Sequence, residues 1–103
     1  MEAGITSYQE SMAGRLARIF PGATAMGIPV SLEHDGRKER TTIEFGTGQE
    51  FIFRADSALS FDECVRLRNH NGSLDVLVKI IAMQWVDSKQ VVAGRLTSVK
   101  GQP

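Results

Sequence analysis

The chain has 103 residues, enough to enclose one hydrophobic core but too few for two domains with a cleft between them. Twelve lysines and arginines balance twelve aspartates and glutamates, so no net field draws in a nucleic-acid polymer or an anionic membrane from a distance. No apolar run approaches the roughly 20 residues that span a bilayer, and the start, with acidic Glu2, is unlike a secretory signal. A cytoplasmic protein without membrane insertion is the expectation, and the single cysteine, Cys64, which has no partner for an internal disulfide, agrees with a reducing compartment.

Residues 1–20 read as one amphipathic helix. Ser7 and Glu10 stand at capping-box spacing, and Tyr8, Met12, Leu16 and Ile19 or Phe20 recur at steps of three or four. Pro21-Gly22 ends it, and Gly14 weakens it by about 1 kcal/mol relative to alanine, so it depends on docking against the rest of the chain.

From Ile28 the period changes to two, and residues 21–103 read as a β domain. Ile28, Val30 and Leu32 alternate up to the tight-turn pair Asp35-Gly36. A second strand runs from Arg40 to Phe45 and turns at Gly46-Thr47-Gly48 into Glu50 to Ala55. In the connection Asp56 to Asp62, Leu59 and Phe61 both read as core plugs. A strand follows with Val65 and Leu67 on one side and Arg66 and Arg68 on the other. After Asn71-Gly72 comes a long strand, Leu74 to Val86, paired across Asp87-Ser88-Lys89 with Gln90 to Val99.

Six sequential strands favour an antiparallel sheet, and closing it into a barrel removes exposed edges. On the long strand Val76, Val78 and Ile80 face one way and Leu77, Ile81, Met83 and Trp85 the other. A barrel interior takes only one of these faces, so the second set needs a cover. The N-terminal helix supplies one; a partner protein or a second copy of the chain is the other source.

No nucleophile, base and orienting group stand in a recognisable pattern, so the chain reads as a binding module rather than an enzyme, with no cofactor and no metal. His34 and His70 each sit beside a hairpin turn and read as solvated polar residues. Cys64 shares a strand side with Arg66 and Arg68 and reads as a small packed residue, a thiolate stabilised by arginine being the sharper alternative. The arginines form the one cluster able to grip phosphate or a guanine edge: Arg15 and Arg18 near the helix, Arg37 and Arg40 near the first hairpin, Arg66, Arg68 and Arg95 later.

From Gly27 to Val99 the order of features resembles the PilZ domain family. Ile28-Pro29-Val30-Ser31-Leu32 stands as the first strand, Thr41-Thr42-Ile43-Glu44 leads into the turn, and Phe51-Ile52-Phe53 returns. Leu59 with Cys64-Val65-Arg66-Leu67-Arg68 forms the next unit, and Val76 to Trp85 the long strand. The resemblance implies a six-stranded antiparallel barrel and a role in bacterial signalling through cyclic di-GMP.

Consensus members hold that ligand with an arginine pair four apart before the first strand and an Asp-x-Ser-x-x-Gly turn after the second. Here residues 21–27 contain no arginine, and the turn reads Glu44-Phe45-Gly46-Thr47-Gly48-Gln49. The resemblance therefore implies a regulatory or protein-interaction domain whose nucleotide binding is weak or lost, with Leu77, Ile81, Met83 and Trp85 as the partner surface. The alternative it leaves is a cyclic di-GMP receptor in which Arg15, Arg18 or Arg40 replace the missing pair, with Glu44, Gly46 and Gly48 completing the site.

Overall fold

The computed structural model describes residues 11–99. Ser11 is the N-cap of helix α1 (Met12–Ala17), and its hydroxyl accepts the Gly14 N–H at 3.0 Å. Six residues are too few for a self-supporting helix, so α1 is held by what it covers. Ala13, Leu16 and Ala17 are buried against Ile52, Val91 and Ala93 of the sheet. Of the expected span, the described part 11–20 is helical from Met12 to Ala17, ending three residues early, and the proposed box at Ser7 and Glu10, with Tyr8, lies outside the described residues. Of the two candidates for the last apolar position, Phe20 packs into this cluster, whereas Ile19 is exposed.

Six strands follow: β1 (Thr24–His34), β2 (Arg37–Gly46), β3 (Glu50–Ala55), β4 (Cys64–Arg68), β5 (Asp75–Val86) and β6 (Lys89–Val99). All pairings are antiparallel, and the neighbours run β1-β2-β3-β6-β5-β4 with β4 paired back on β1, so the order is closed. The β1–β2 hairpin turns on Asp35 (φ 54°) and Gly36 (φ 77°), both left-handed as a two-residue turn matched to the strand twist requires. The β5–β6 hairpin turns on Asp87 and Ser88, also left-handed, with Val86 opposite Lys89. Strand β1 starts before Ile28, at Thr24, and a register shift between Ala25 and Ile28 places Gly27 at φ 71°.

Two apolar clusters share the sheet. The enclosed one contains Val30, Leu32, Ile43, Phe51, Phe53, Leu59, Val65, Leu67, Val76, Val78, Ile80 and Val92. The other lies between α1 and the outer side of β3 and β6. Adjacent residues therefore serve opposite sides: Ile52 and Phe53 on β3, Val91 and Val92 on β6.

Two sequence expectations are corrected. Phe61 is 63% exposed, so Leu59 alone plugs the core from the connection. Its place is fixed by Gln90, whose side chain is buried and clamps the Leu59 backbone. The Gln90 Oε1 accepts the Leu59 N–H at 2.7 Å and the Nε2 donates to the Leu59 carbonyl at 2.9 Å.

The second correction concerns β5. Ile80 pairs with Gly94 and Ala82 with Ala93, so Ile81 is an extra residue in the ladder. Such a bulge reverses the side-chain alternation beyond it. Met83 consequently packs against the enclosed cluster, while Ile81, Ala82 and Val86 pack in the cluster under α1. The strip Leu77, Ile81, Met83 and Trp85 is not one surface. Among the described residues no helix is long and apolar enough to cross a membrane.

Candidate functional site

The end of β2 is the first place to look for a ligand site. Glu44 is the extra residue where Ile43 faces Phe53 and Phe45 faces Ile52. The bulge turns its carboxylate to the outside, where Arg54 Nε meets it at 2.9 Å. Gly46 is buried beneath Met26: a Cβ there would stand 2.5 Å from the methionine Sδ. Gly48, at φ 99°, completes the β2–β3 turn. In that turn the Thr47 hydroxyl accepts the Gln49 and Glu50 N–H groups and donates to the Glu50 carboxylate.

Beside this turn lies an open depression of about 580 Å³ lined by Ser11, Ala25, Met26, Gly27, Thr42, Glu44 and Phe45. Arg15 and Arg18 are exposed on and just after α1, and neither lines it. Arg40 lines a different hollow, with Pro29, Val30, Ser31, Thr41 and His70. The sequence-derived arginines are therefore distributed over separate surfaces.

The strongest concentration of charge is on the outer face of β2, β1 and β4. Register places Glu33 between Lys38 and Arg66, and Ser31 between Arg40 and Arg68. In the first row Glu33 Oε1 lies 3.9 Å from Arg66 and its Oε2 4.0 Å from Lys38. Arg66 also makes a two-pronged bond to Asp75, Nε to Oδ1 and Nη2 to Oδ2, each 2.7 Å. The hydrogen bond to Asp75 raises the arginine pKa above its ordinary value, helped by the negative charge of Asp75 and then Glu33, so this guanidinium stays cationic. In the second row a hydroxyl, not a carboxylate, stands at the centre. Arg68 reaches diagonally to Glu33 with Nη2 alone, at 3.0 Å.

His34 is not the solvated turn residue expected. Its side chain is 10% exposed, and Nδ1 lies 2.6 Å from Glu63 Oε2. The other oxygen of Glu63 accepts the Ser60 N–H at 2.8 Å, so this pair ties the β3–β4 connection to the first hairpin. His70 is exposed, as expected. Cys64 is exposed rather than packed, opposite Lys79 on β5.

Of the remaining apolar candidates, Leu77 is half-buried opposite Arg66, and Trp85 is 56% exposed. Trp85 pairs with Gln90, which clamps Leu59, so Trp85 and Phe61 belong to the same end of the sheet. Sequence reading missed this pairing because the tie between them is a buried glutamine. The signal available was a lone polar residue heading an otherwise apolar stretch, Gln90-Val91-Val92-Ala93.

Neither a known protein-family model nor a curated protein sequence matches the chain.

Proposed function

We propose that the chain is a non-enzymatic regulatory or protein-interaction domain on a PilZ-like barrel, with weak or lost affinity for cyclic di-GMP. The closed order of six antiparallel strands supports the fold part of this reading. The observation that carries the functional part is the occupation of the turn region by the chain's own groups. Glu44 is engaged by Arg54, Gly46 lies beneath Met26, and the Thr47 hydroxyl is taken up within the turn. A guanine edge and a phosphate arriving there would have to displace an ion pair and a packed side chain. Losing two charge-assisted contacts, each worth about 1.5–3 kcal/mol, weakens binding a hundredfold or more.

The interaction part of the reading rests on Trp85 and Phe61, two large aromatic side chains left exposed at one end. A protein partner or a second copy of the chain is the occupant class. The receptor alternative draws on the depression beside Glu44.

Calorimetric titration with cyclic di-GMP is expected to give no heat up to about a millimolar. Submicromolar binding abolished by Arg15→Ala with Arg18→Ala would replace this reading with the receptor. Sedimentation is expected to show self-association or partner binding that is lost in Trp85→Ser. Sedimentation of a strict monomer, with no partner lost on that substitution, would remove the interaction reading.

A further inference from the structure

The row Arg40, Ser31, Arg68 has a geometry that the family reading does not use. Neighbouring strands are about 4.8 Å apart, so the two arginine backbones stand about 10 Å from each other with Ser31 midway. All three side chains leave the same outer face, because Val30 and Leu32 on either side of Ser31 point into the enclosed cluster. Two long guanidinium side chains rooted at that separation can converge above the serine. His70 completes the hollow, of about 240 Å³, that Arg40 and Ser31 line.

The neighbouring row differs in a way that matters. There a carboxylate, Glu33, sits between the two cations and offsets their charge. In the Arg40 row no carboxylate stands between the two arginines: Asp75, opposite Arg68 on the far side, is bound by the fork of Arg66, Arg40 forms no ion pair among the described residues, and Arg68 gives Nη2 to Glu33.

We propose that Arg40, Arg68, Ser31 and His70 form a binding site for a phosphate monoester dianion on the outer face of β2, β1 and β4. A carboxylate presents two coplanar oxygens, which one guanidinium fork satisfies. A phosphate monoester presents three acceptor oxygens at the corners of a tetrahedron and nearly two negative charges, which suits donors arriving from opposite sides over a central hydroxyl. Each guanidinium takes one or two oxygens, and the serine hydroxyl and an imidazole N–H donate from below and from the rim. The site shares Arg40 with the receptor alternative, but its hollow is separate from the depression beside Glu44, so a phosphate monoester that binds here need not touch Glu44 or Gly46.

The test is a chemical-shift titration of the whole chain with glycerol phosphate, a phosphoserine peptide and acetate, all at one ionic strength. Both phosphate probes are expected to shift the amides of Ser31, Arg40, Thr41, Arg68 and His70 and to saturate in the millimolar range or below; acetate should not. The tighter of the two identifies the source as a small phosphorylated molecule or a phosphorylated protein segment. Arg40→Ala, an exposed change, is expected to weaken the phosphate probes about tenfold or more. Arg68→Lys keeps the charge diagonal to Glu33 but removes the fork and should also weaken them, whereas Lys79→Ala on β5 should leave affinity unchanged. Wild-type affinity in Arg40→Ala, or an equal response to acetate, would overturn the proposal.

Discussion

Replacing Gln90 by leucine tests how the connection between β3 and β4 is held. The glutamine is 1% exposed, and its amide serves both backbone groups of Leu59, accepting at 2.7 Å and donating at 2.9 Å. Leucine has a similar volume, so no large cavity forms, but a buried N–H and a buried C=O lose their partners. Each stranded group costs about 1–3 kcal/mol. The added apolar surface offsets part of this, which leaves a net loss of about 2–4 kcal/mol.

For a domain near 100 residues that corresponds to a fall in Tm of roughly 10–25 °C. Thermal unfolding followed by circular dichroism measures the fall, and hydrogen exchange locates it. The Leu59 amide should exchange much faster in the variant through local opening, while Phe53 and Val92 in the core should lose protection only by the factor that the fall in global stability sets. A loss below about 0.5 kcal/mol, or a Leu59 amide as protected as before, would show that the clamp does not hold the connection.

Two glycines are expected to respond differently to alanine. At Gly94 the new Cβ would meet Val78 Cγ2 at 2.5 Å and Val78 Cβ at 2.9 Å, and a buried β-branched neighbour cannot yield, so urea unfolding should show a loss of about 1–3 kcal/mol. At Gly46 the closest atom belongs to the flexible side chain of Met26, so the loss there should be the smaller of the two. Ser11→Ala removes the cap bond to Gly14 and should cost about 1 kcal/mol in the same assay. Phe61→Ser should change stability by less than about 0.5 kcal/mol, because its side chain is outside both clusters.

Most strands and turns were legible because their signals are local. Asp35-Gly36 gives the left-handed pair that its hairpin needs, and Val65 and Leu67 alternate cleanly against Arg66 and Arg68. What was not legible depends on contacts between distant residues. Period-two reading carries a strand's two faces forward unchanged, so it could not see that Ile81 is an extra residue relative to β6, or that Met83 therefore turns inward. The hint was Ile80-Ile81-Ala82, three apolar residues in succession. Phe61 failed for a related reason: Leu59 and Phe61 share a spacing that suits burial of both, and only the clamp from Gln90 decides between them. The arginine cluster was visible as composition, but its division into rows follows from strand register, which places a carboxylate in one row and a serine in the other.

The apolar excess on β5 therefore has two outlets and calls for no partner along its length. The bulge at Ile81 sends Met83 to the enclosed cluster and Ile81, Ala82 and Val86 to the cluster that α1 covers. Strands β3 and β6 are apolar on both faces for the same reason, being the wall between the two clusters. Among the described residues the large apolar side chains left exposed are Ile19, Met26, Phe61 and Trp85, and of these the two aromatic ones lie beyond both clusters at the end of the sheet. The backbone ladder sets Trp85 opposite Gln90, and the Gln90 side-chain amide, by clamping Leu59, bears on Phe61 two residues further on. A partner that grips both aromatics would thus depend on Gln90 without touching it. Gln90→Leu should weaken such a partner along with Trp85→Ser, whereas Ser11→Ala, which acts on the opposite cluster, should leave its affinity intact at temperatures where the domain is folded.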